Sequence, residues 1–295
     1  MTTLNALNKK IKTAHDLLSV VKTMKNLSVV NIKRYERAVK SLEQYITTID
    51  MGWQIFFRSD TAILRQAAGK SAVCMVIGSD QGMCGQFNEI LISHAVKKAK
   101  RLKEKDLDLT FWSLGEKISR SLEDREYSIG NHFSVAESLS GINEQVQVVI
   151  QEIESWQVSR RLEYFYVCHN ILTKKGGYKQ IFYRLLPLDK EWADQYTAKK
   201  WPSRCLPQIY LPHQEMFTYL FRQYLFIALY RTFVQSLASE NLARLMAMQA
   251  AEKNIQEMEE DLMVLFRAQR QASITDELLD ISSGFEALRN EEFIV

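Results

Sequence analysis

The stretch ASENLARLMAMQAAEKNIQEMEEDLMVLFRAQRQASITDELLDI, residues 238–281, decides how the rest of the chain is read. It holds no glycine and no proline, and it is rich in Ala, Leu, Met, Glu and Arg, which enter helices readily. The helix it predicts is far longer than one in an ordinary globular domain. Left single in water such a helix gains little, because helices are held mainly by a packed face. The sequence must supply that face a partner.

The partner is legible at the other end. Leu4, Leu7, Ile11, Ala14, Leu18, Val21, Lys25, Ser28, Ile32, Tyr35, Val39, Leu42, Ile46, Ile49, Trp53 and Phe56 follow one another at alternating steps of three and four. A sustained 3.5-residue repeat is the signal of a coiled coil. At 1.5 Å per residue the helix would run roughly 80 Å. Lys25 and Ser28 are its only polar members. A buried lysine is costly unless paired, so the stripe is expected to open there or to meet a different neighbour. The C-terminal stripe is less regular: Ile255, Met258, Leu262 and Leu265 fit one phase, and Ile274, Leu278, Ile281, Phe285 and Leu288 another. The simplest arrangement winds the two terminal helices around each other, antiparallel, into a rod.

Glycine and proline divide the chain in three. All four prolines lie between Pro187 and Pro212, and outside residues 69–212 only Gly52 and Gly284 remain. Breakers mark turns, so the expected organisation is an N-terminal coiled-coil helix over 1–68, a many-turned domain over 69–212 and a C-terminal coiled-coil helix over 213–295. In the middle, strands are predicted at 72–77, 108–114, 161–169 and 180–188, with a KKGG turn between the last two. Helices are predicted at about 88–103, 116–125 and 142–156. The β-α-β-α order implies an open, largely parallel sheet with helices on both faces. The fold class is thus a long antiparallel coiled coil with a central open α/β, Rossmann-like domain.

Composition excludes several classes. In 295 residues, 46% hydrophobic and 25% charged content describe a folded chain, and a net charge of +3 gives no argument for nucleic acid. No apolar run reaches the roughly 18 residues of a membrane span, so no direct insertion into a membrane is expected. The lysine-rich start resembles a presequence, but its apolar pattern continues unbroken into the body of the chain. Cys74, Cys84, Cys168 and Cys205 form no C-x-x-C pair, which fits reduced thiols better than a zinc or redox site.

No constellation of catalytic residues emerges. The loop GSDQGMCGQFN, residues 78–88, follows the first strand, where a phosphate cradle would sit. Its glycines match neither G-x-G-x-x-G nor the P-loop, and no lysine follows; tight turns and close packing account for them better. Cys84 lies near a helix start, where a thiol can be activated, but His15, His94, His132, His169 and His213 are dispersed. No metal-ligand spacing and no cofactor motif appears. The basic run KKAKRLKEK, 97–105, suits a solvated helix end. The bases of KTMKNLSVVNIKR, 22–34, lie where the stripe is interrupted, and a partner-facing role competes there with a plain solvated face.

These segments together resemble the γ subunit of F-type ATP synthases. ASENLARLMAMQAAEKNIQEMEEDL and AQRQASITDELLDISSG look like that family's C-terminal signature almost position by position. VVKTMKNLSVVNIKR looks like its N-terminal motif, GSDQGMCGQFN like its SDRGLCGGLN loop, and YLP (210–212) like its YEP. The resemblance covers most of the chain. It implies a shaft turning inside a ring of α and β subunits that hold the nucleotide sites, with no catalytic, metal or cofactor site of its own. It further implies contact with an ε subunit and with the c-ring of the membrane sector, and a peripheral place on the cytoplasmic face of a bacterial membrane. By resemblance, Arg270 and Gln271 contact loops of the ring, with Thr275 and Glu277 close by. Glu240 and Arg244 belong to the same signature. Lys22, Met24, Lys33 and Arg34 face acidic residues of β.

There are departures. Leu27, Val29 and Asn31 replace typical residues of the N-terminal motif, and Leu211 stands where YEP has glutamate, which puts c-ring contact at that point in question. The two-cysteine insert of redox-regulated chloroplast members is missing. Such divergence would fit a non-standard bacterial form, the alternate, sodium-linked type included. The alternative reading, from another class, is a stand-alone nucleotide-binding α/β enzyme with coiled-coil arms.

Overall fold

The structure, a computed structural model, describes residues 4–59, 69–136 and 138–291. Its elements in chain order are α1 (Leu4–Ser41), α2 (Glu43–Ser59), β1 (Ser71–Ile77), α3 (Phe87–Lys103), β2 (Asp108–Leu114), α4 (Glu116–Glu123), β3 (Ile129–Phe133), α5 (Leu139–Ser159), β4 (Tyr164–Leu172), β5 (Tyr178–Leu186), α6 (Lys190–Thr197) and α7 (His213–Glu291). Contacts group the chain into two compact units, residues 28–246 and residues 1–27 with 247–295.

In the larger unit the sheet order is β3-β2-β1-β4-β5. The first four strands are parallel and β5 is antiparallel to β4. Successive side chains of a strand point to opposite faces. On β1, Val73, Met75 and Ile77 enter one core with α5 and with Leu225, Leu229, Phe233 and Val234 of α7. Ala72, Cys74 and Val76 enter the other, under α3 and α4. Burial of both faces explains why β1 reads as an unbroken apolar run. A third cluster joins α2, α6 and the start of α7: Trp53 stacks on Phe57 at 5.3 Å between ring centroids and meets Trp192 edge-on at 5.0 Å.

The terminal helices pair antiparallel within this unit. Asn31 donates to Asn241 at 3.3 Å, Tyr45 to Gln223 at 2.5 Å, and Phe56 stacks on His213 at 4.0 Å. In the smaller unit Leu7, Ala14, Leu18 and Val21 of α1 are buried, and Lys25 reaches Glu252 of α7 at 2.5 Å. Every position of the N-terminal repeat from Leu4 to Phe56 is buried or half-buried. Contrary to the expectation that it would open at its polar positions, the stripe stays covered there. Lys25 is paired and Ser28 is buried.

Four expectations need correction. The N-terminal helix is not continuous: it breaks at Leu42, whose N–H bonds Val39 O at 3.2 Å, three residues back. There the helix changes partners, from the sheet core that receives Val39 and Leu42 to the aromatic cluster that receives Ile49, Trp53 and Phe56. Residues 60–68 of the expected helix lie outside the described residues. The strand β3 was not expected, because IGNHF carries little apolar signal. Its Gly130 is needed where a Cβ would lie 2.4 Å from the Trp156 ring. Helix α6 was also missed, although Asp189 caps it by accepting from Trp192 N at 2.9 Å.

The fourth correction concerns the C-terminal stripe. Met258, Leu265, Ile274, Leu278 and Ile281 are exposed; the side chains of Phe285 and Leu288 lie outside the described residues. The covered positions are Met248, Glu252, Ile255, Glu259, Leu262, Phe266, Gln269 and Ser273, again at steps of four and three. Half of this seam is polar, so apolar periodicity alone did not reveal it.

His169 on β4 is buried, its Nε2 3.4 Å from Gln235 Oε1. Burial lowers its pKa from 6.5 to about 4; Arg231 adds to the fall and the Gln235 bond opposes it. The unfolded chain therefore binds a proton that the folded chain refuses between those values. Stability from this group is present above pH 6.5 and is lost as pH falls toward 4. Denaturant titrations at stepped pH should show this slope, on the order of 3 kcal/mol at most. His169→Gln should flatten it, and an unchanged slope would exclude His169 as its source.

Candidate functional site

The loop at 78–88 is closed by its own side chains. Ser79 N donates to Asn88 Oδ1 at 3.1 Å, and Asn88 Nδ2 returns a bond to Ser79 Oγ at 2.8 Å. Asp80 turns its carboxylate onto two backbone groups, Glu116 N at 2.8 Å and Val135 N at 2.7 Å. The loop thus ties the start of α4 to the end of β3, and a phosphate would meet the Asp80 charge. Gly115, at φ 105°, lets this approach happen: a Cβ there would stand 2.8 Å from Ser79 O. Cys84 packs beside Phe87 and Ala243, and burial raises its pKa, with a weaker opposing effect from the Ser79 hydroxyl. A buried thiol held protonated is no nucleophile.

Beside this loop lies a polar cavity of 300 Å³, lined by Asn31, Tyr35, Asp80, Glu240, Asn241 and Arg244 among others. Arg244 donates to Glu240 Oε1 at 2.5 Å across one turn of α7, and both side chains are nearly buried. Glu240 Oε2 has no hydrogen-bond partner among the described residues. Burial raises the Glu240 pKa; Arg244 pulls it down and Asp80 adds to the rise. Two sequence-chosen residues therefore bond chiefly to each other, inside the chain. Lys33 and Arg34 are exposed on α1 of the same unit.

In the smaller unit Lys22 is exposed and Met24 half-buried. At 3.6 residues per turn they stand about 200° apart, on opposite flanks of the seam. Beside Met24 runs a row the sequence reading passed over: Leu17, Val20 and Leu27 are all more than half exposed. Their spacing puts them on one face of α1. The groove between α1 and α7 has a volume of 620 Å³ and is lined by Leu18, Glu259, Glu260, Met263, Val264 and Arg267 with Gln256.

The end of α7 is the most exposed part of the site. From Ile274 to Ser283 every residue is exposed, and so are Arg270 and Gln271. Thr275 turns its hydroxyl inward along the helix onto Gln271 O at 2.9 Å. By helical rotation Arg270, Gln271, Ile274, Thr275, Glu277, Leu278 and Ile281 share about 160° of the helix circumference. Four sequence-chosen residues thus lie with three exposed aliphatic ones on one half of α7. Of the expected aliphatic stripe, Ile274, Leu278 and Ile281 belong to this open face, while Ile255 and Leu262 lie in the seam.

These features define a protein of paired helices and a mostly parallel sheet, whose C-terminal helix offers an exposed face of mixed apolar and polar residues. A family model described as ATP synthase matches residues 3–288. The ATP synthase gamma chain of Geotalea daltonii is 26% identical over 301 residues, covering 98% of this chain and 100% of that one. That of Nautilia profundicola is 27% identical over 304 residues at the same coverage. Among solved structures, a chain of the Euglena gracilis mitochondrial ATP synthase, in an OSCP/F1/c-ring assembly, matches the fold. Its TM-score is 0.65 at 15% identity, over 99% of this chain and 96% of that one. The chain belongs to the ATP synthase family, among its γ chains.

The Glu240–Arg244 pair is testable in the isolated chain. Arg244→Met strands a buried carboxylate and should cost about 3 to 5 kcal/mol in denaturant titrations. Adding Glu240→Gln should recover most of that loss. If the double variant is as unstable as the single one, the pair does not account for the effect.

Proposed function

We propose that this chain is the central-stalk γ subunit of a rotary ATP synthase, a shaft that carries ion-driven rotation to catalytic sites on other subunits. The observation that carries this reading is the match to γ chains along almost the whole chain, with the exposed end of α7 within it. Its partners in this reading are the α and β subunits of the ring, an ε subunit and the c-ring. Its place is the cytoplasmic face of a bacterial membrane, as a peripheral subunit; no described helix is long and apolar enough to cross one.

The mechanism asks of this chain differential contact, not chemistry. A ligand shifts a two-state equilibrium only by the difference in its affinity for the two states. A shaft with unlike faces presents a different surface to each catalytic subunit at each angle, and so biases each between open and closed forms. The half of α7 carrying Arg270, Gln271, Ile274, Thr275, Glu277, Leu278 and Ile281 suits such a face. Its polar groups are exposed, so contacts made and broken during rotation need not desolvate a charge pair each time. Lys22, Met24, Lys33 and Arg34 offer secondary contacts on α1. Glu240 and Arg244 act in this reading through the shape of α7 beside the Asp80 loop, since each is largely spent on the other.

Co-expression with the α and β subunits of the same organism tests both levels of the proposal. A complex should co-elute on a sizing column and hydrolyse ATP. Gln271→Ala should leave assembly intact and lower hydrolysis about threefold to tenfold, the range expected for one interfacial hydrogen bond. An unaffected rate would remove Gln271 from the contact while keeping the subunit role. Failure to assemble with folded partners would sink the stalk reading.

A further inference from the structure

The polar cavity of 300 Å³ beside the Asp80 loop holds a group that the fold leaves unsatisfied. Glu240 is 6% exposed, and its Oε2 has no hydrogen-bond partner among the described residues. A buried polar atom without a partner carries a free-energy cost, and in native structures it marks the place of a bound water, ion or ligand. Arg244 covers only Oε1. Two more groups on the wall have unfilled bonding capacity. Asn31 donates its amide N–H to Asn241 Oδ1, which leaves its own Oδ1 as an acceptor. The Tyr35 hydroxyl is bonded to no described residue.

Charge decides what fits. The lining carries two carboxylates, Asp80 and Glu240, against one guanidinium, Arg244, so it lacks one positive charge. The Asp80 oxygens accept from Glu116 N and Val135 N, which fixes that carboxylate without neutralising it. A water would bond Oε2 but bring no charge, and an anion would meet both carboxylates. A bare metal ion needs several close oxygen ligands, and no group of three or more His, Cys, Asp or Glu placed to hold one occurs among the described residues. The space is also much larger than one small ion needs, since a water takes up about 30 Å³. Val135, Ala136 and Leu237 complete the wall with apolar surface. A cation that carries both N–H donors and a short run of carbon meets each of these conditions.

We propose that this cavity binds a short primary alkylammonium group. Its three N–H donors bond Glu240 Oε2, Asn31 Oδ1 and the Tyr35 hydroxyl oxygen, and its carbons lie on Val135, Ala136 and Leu237. A free small amine and a lysine side chain of a partner share this chemistry. The site goes beyond the stalk reading and does not rest on it. A proton on Glu240 removes the same charge deficit, so protons compete with the amine. Burial raises the Glu240 pKa; Arg244 opposes the rise and Asp80 adds to it. The other charged or titratable groups coupled to this cluster are Cys84 on the loop and Arg34 and Tyr35 on α1. Binding is full where Glu240 is ionised and weakens as pH falls through the range in which it takes up its proton.

The test is equilibrium dialysis of the full-length chain against radiolabelled butylammonium. Near neutral pH a single site is expected, with a Kd of about 1 mM, and stepwise acidification should weaken it. Tetramethylammonium, which has no N–H to donate, should not displace the probe. Glu240→Gln should weaken binding by about tenfold or more, and Tyr35→Phe, which keeps the ring, by about threefold. Circular dichroism shows whether each variant is folded; if Glu240→Gln is not, Tyr35→Phe and the pH series decide. Absence of binding by the unaltered chain overturns the proposal. So does binding that the folded variants keep in full, or that tetramethylammonium displaces equally well. A second arm identifies the source. If saturating butylammonium weakens co-elution with α and β, the natural occupant is a partner lysine; if co-elution is unchanged, it is a free amine. The deciding measurements use the isolated chain, so their failure leaves the stalk reading to stand or fall separately.

Discussion

Helix α7 depends on covering surface drawn from elsewhere in the chain, and that need organises the fold. Backbone hydrogen bonds within a helix barely offset the entropy of ordering it. Over Leu225–Ala238 the cover is the sheet and α5; near its start it is the aromatic cluster of α2 and α6; over Met248–Ser273 it is α1. One helix thus serves in a sheet domain and in a helical pair. The sheet domain in turn cannot close without it, because one face of β1 and β4 rests on Leu229, Phe233 and Val234.

The first half of that cover was legible in the sequence and the second was not, for a physical reason. The repeat from Leu4 to Phe56 is apolar at almost every step, so period alone revealed the buried face of α1 and α2. The facing seam of α7 keeps the same period but places Glu252, Glu259, Gln269 and Ser273 in it. Apolar counting then followed Met258, Leu265 and Ile274, which are exposed. The lysine at position 25 was the available clue: a cation in a seam calls for an anion opposite, and Glu252 supplies it. The open, largely parallel sheet was readable because β1, β2 and β4 are apolar runs, whereas β3 is held mainly by its neighbours. The break at Leu42 carries no glycine or proline and follows only from the change of partner. At the candidate site, family resemblance pointed to the end of α7, which is exposed, but no pattern in sequence distinguishes Arg270, which is open, from Arg244, which is spent on Glu240.

The polar members of the interior also limit how the helices can pair. An apolar seam tolerates sliding by a heptad, since one Leu replaces another. Lys25 against Glu252 and Asn31 against Asn241 do not. A slip would leave a half-buried charge or amide without its partner, which costs more than the pair contributes in register. Such groups lower maximum stability while selecting one alignment. The price is acceptable where the alignment itself is functional.

In the proposed stalk role alignment matters, because the open face at the end of α7 would have meaning only at a fixed rotation. A one-residue change in register would turn Arg270 and Gln271 by about 100° and advance them by about 1.5 Å. Any partner that distinguishes the apolar-and-polar half of the helix from the Asp276 and Asp280 side would then meet the wrong surface. Holding that rotation cannot be the task of the exposed end, which has no cover among the described residues to resist twisting. It falls to the covered parts: the Lys25–Glu252 pair in one unit, and in the other the Asn31–Asn241 contact. In the proposed stalk role, half-buried polar contacts between helices would thus act on that face through the helix they hold.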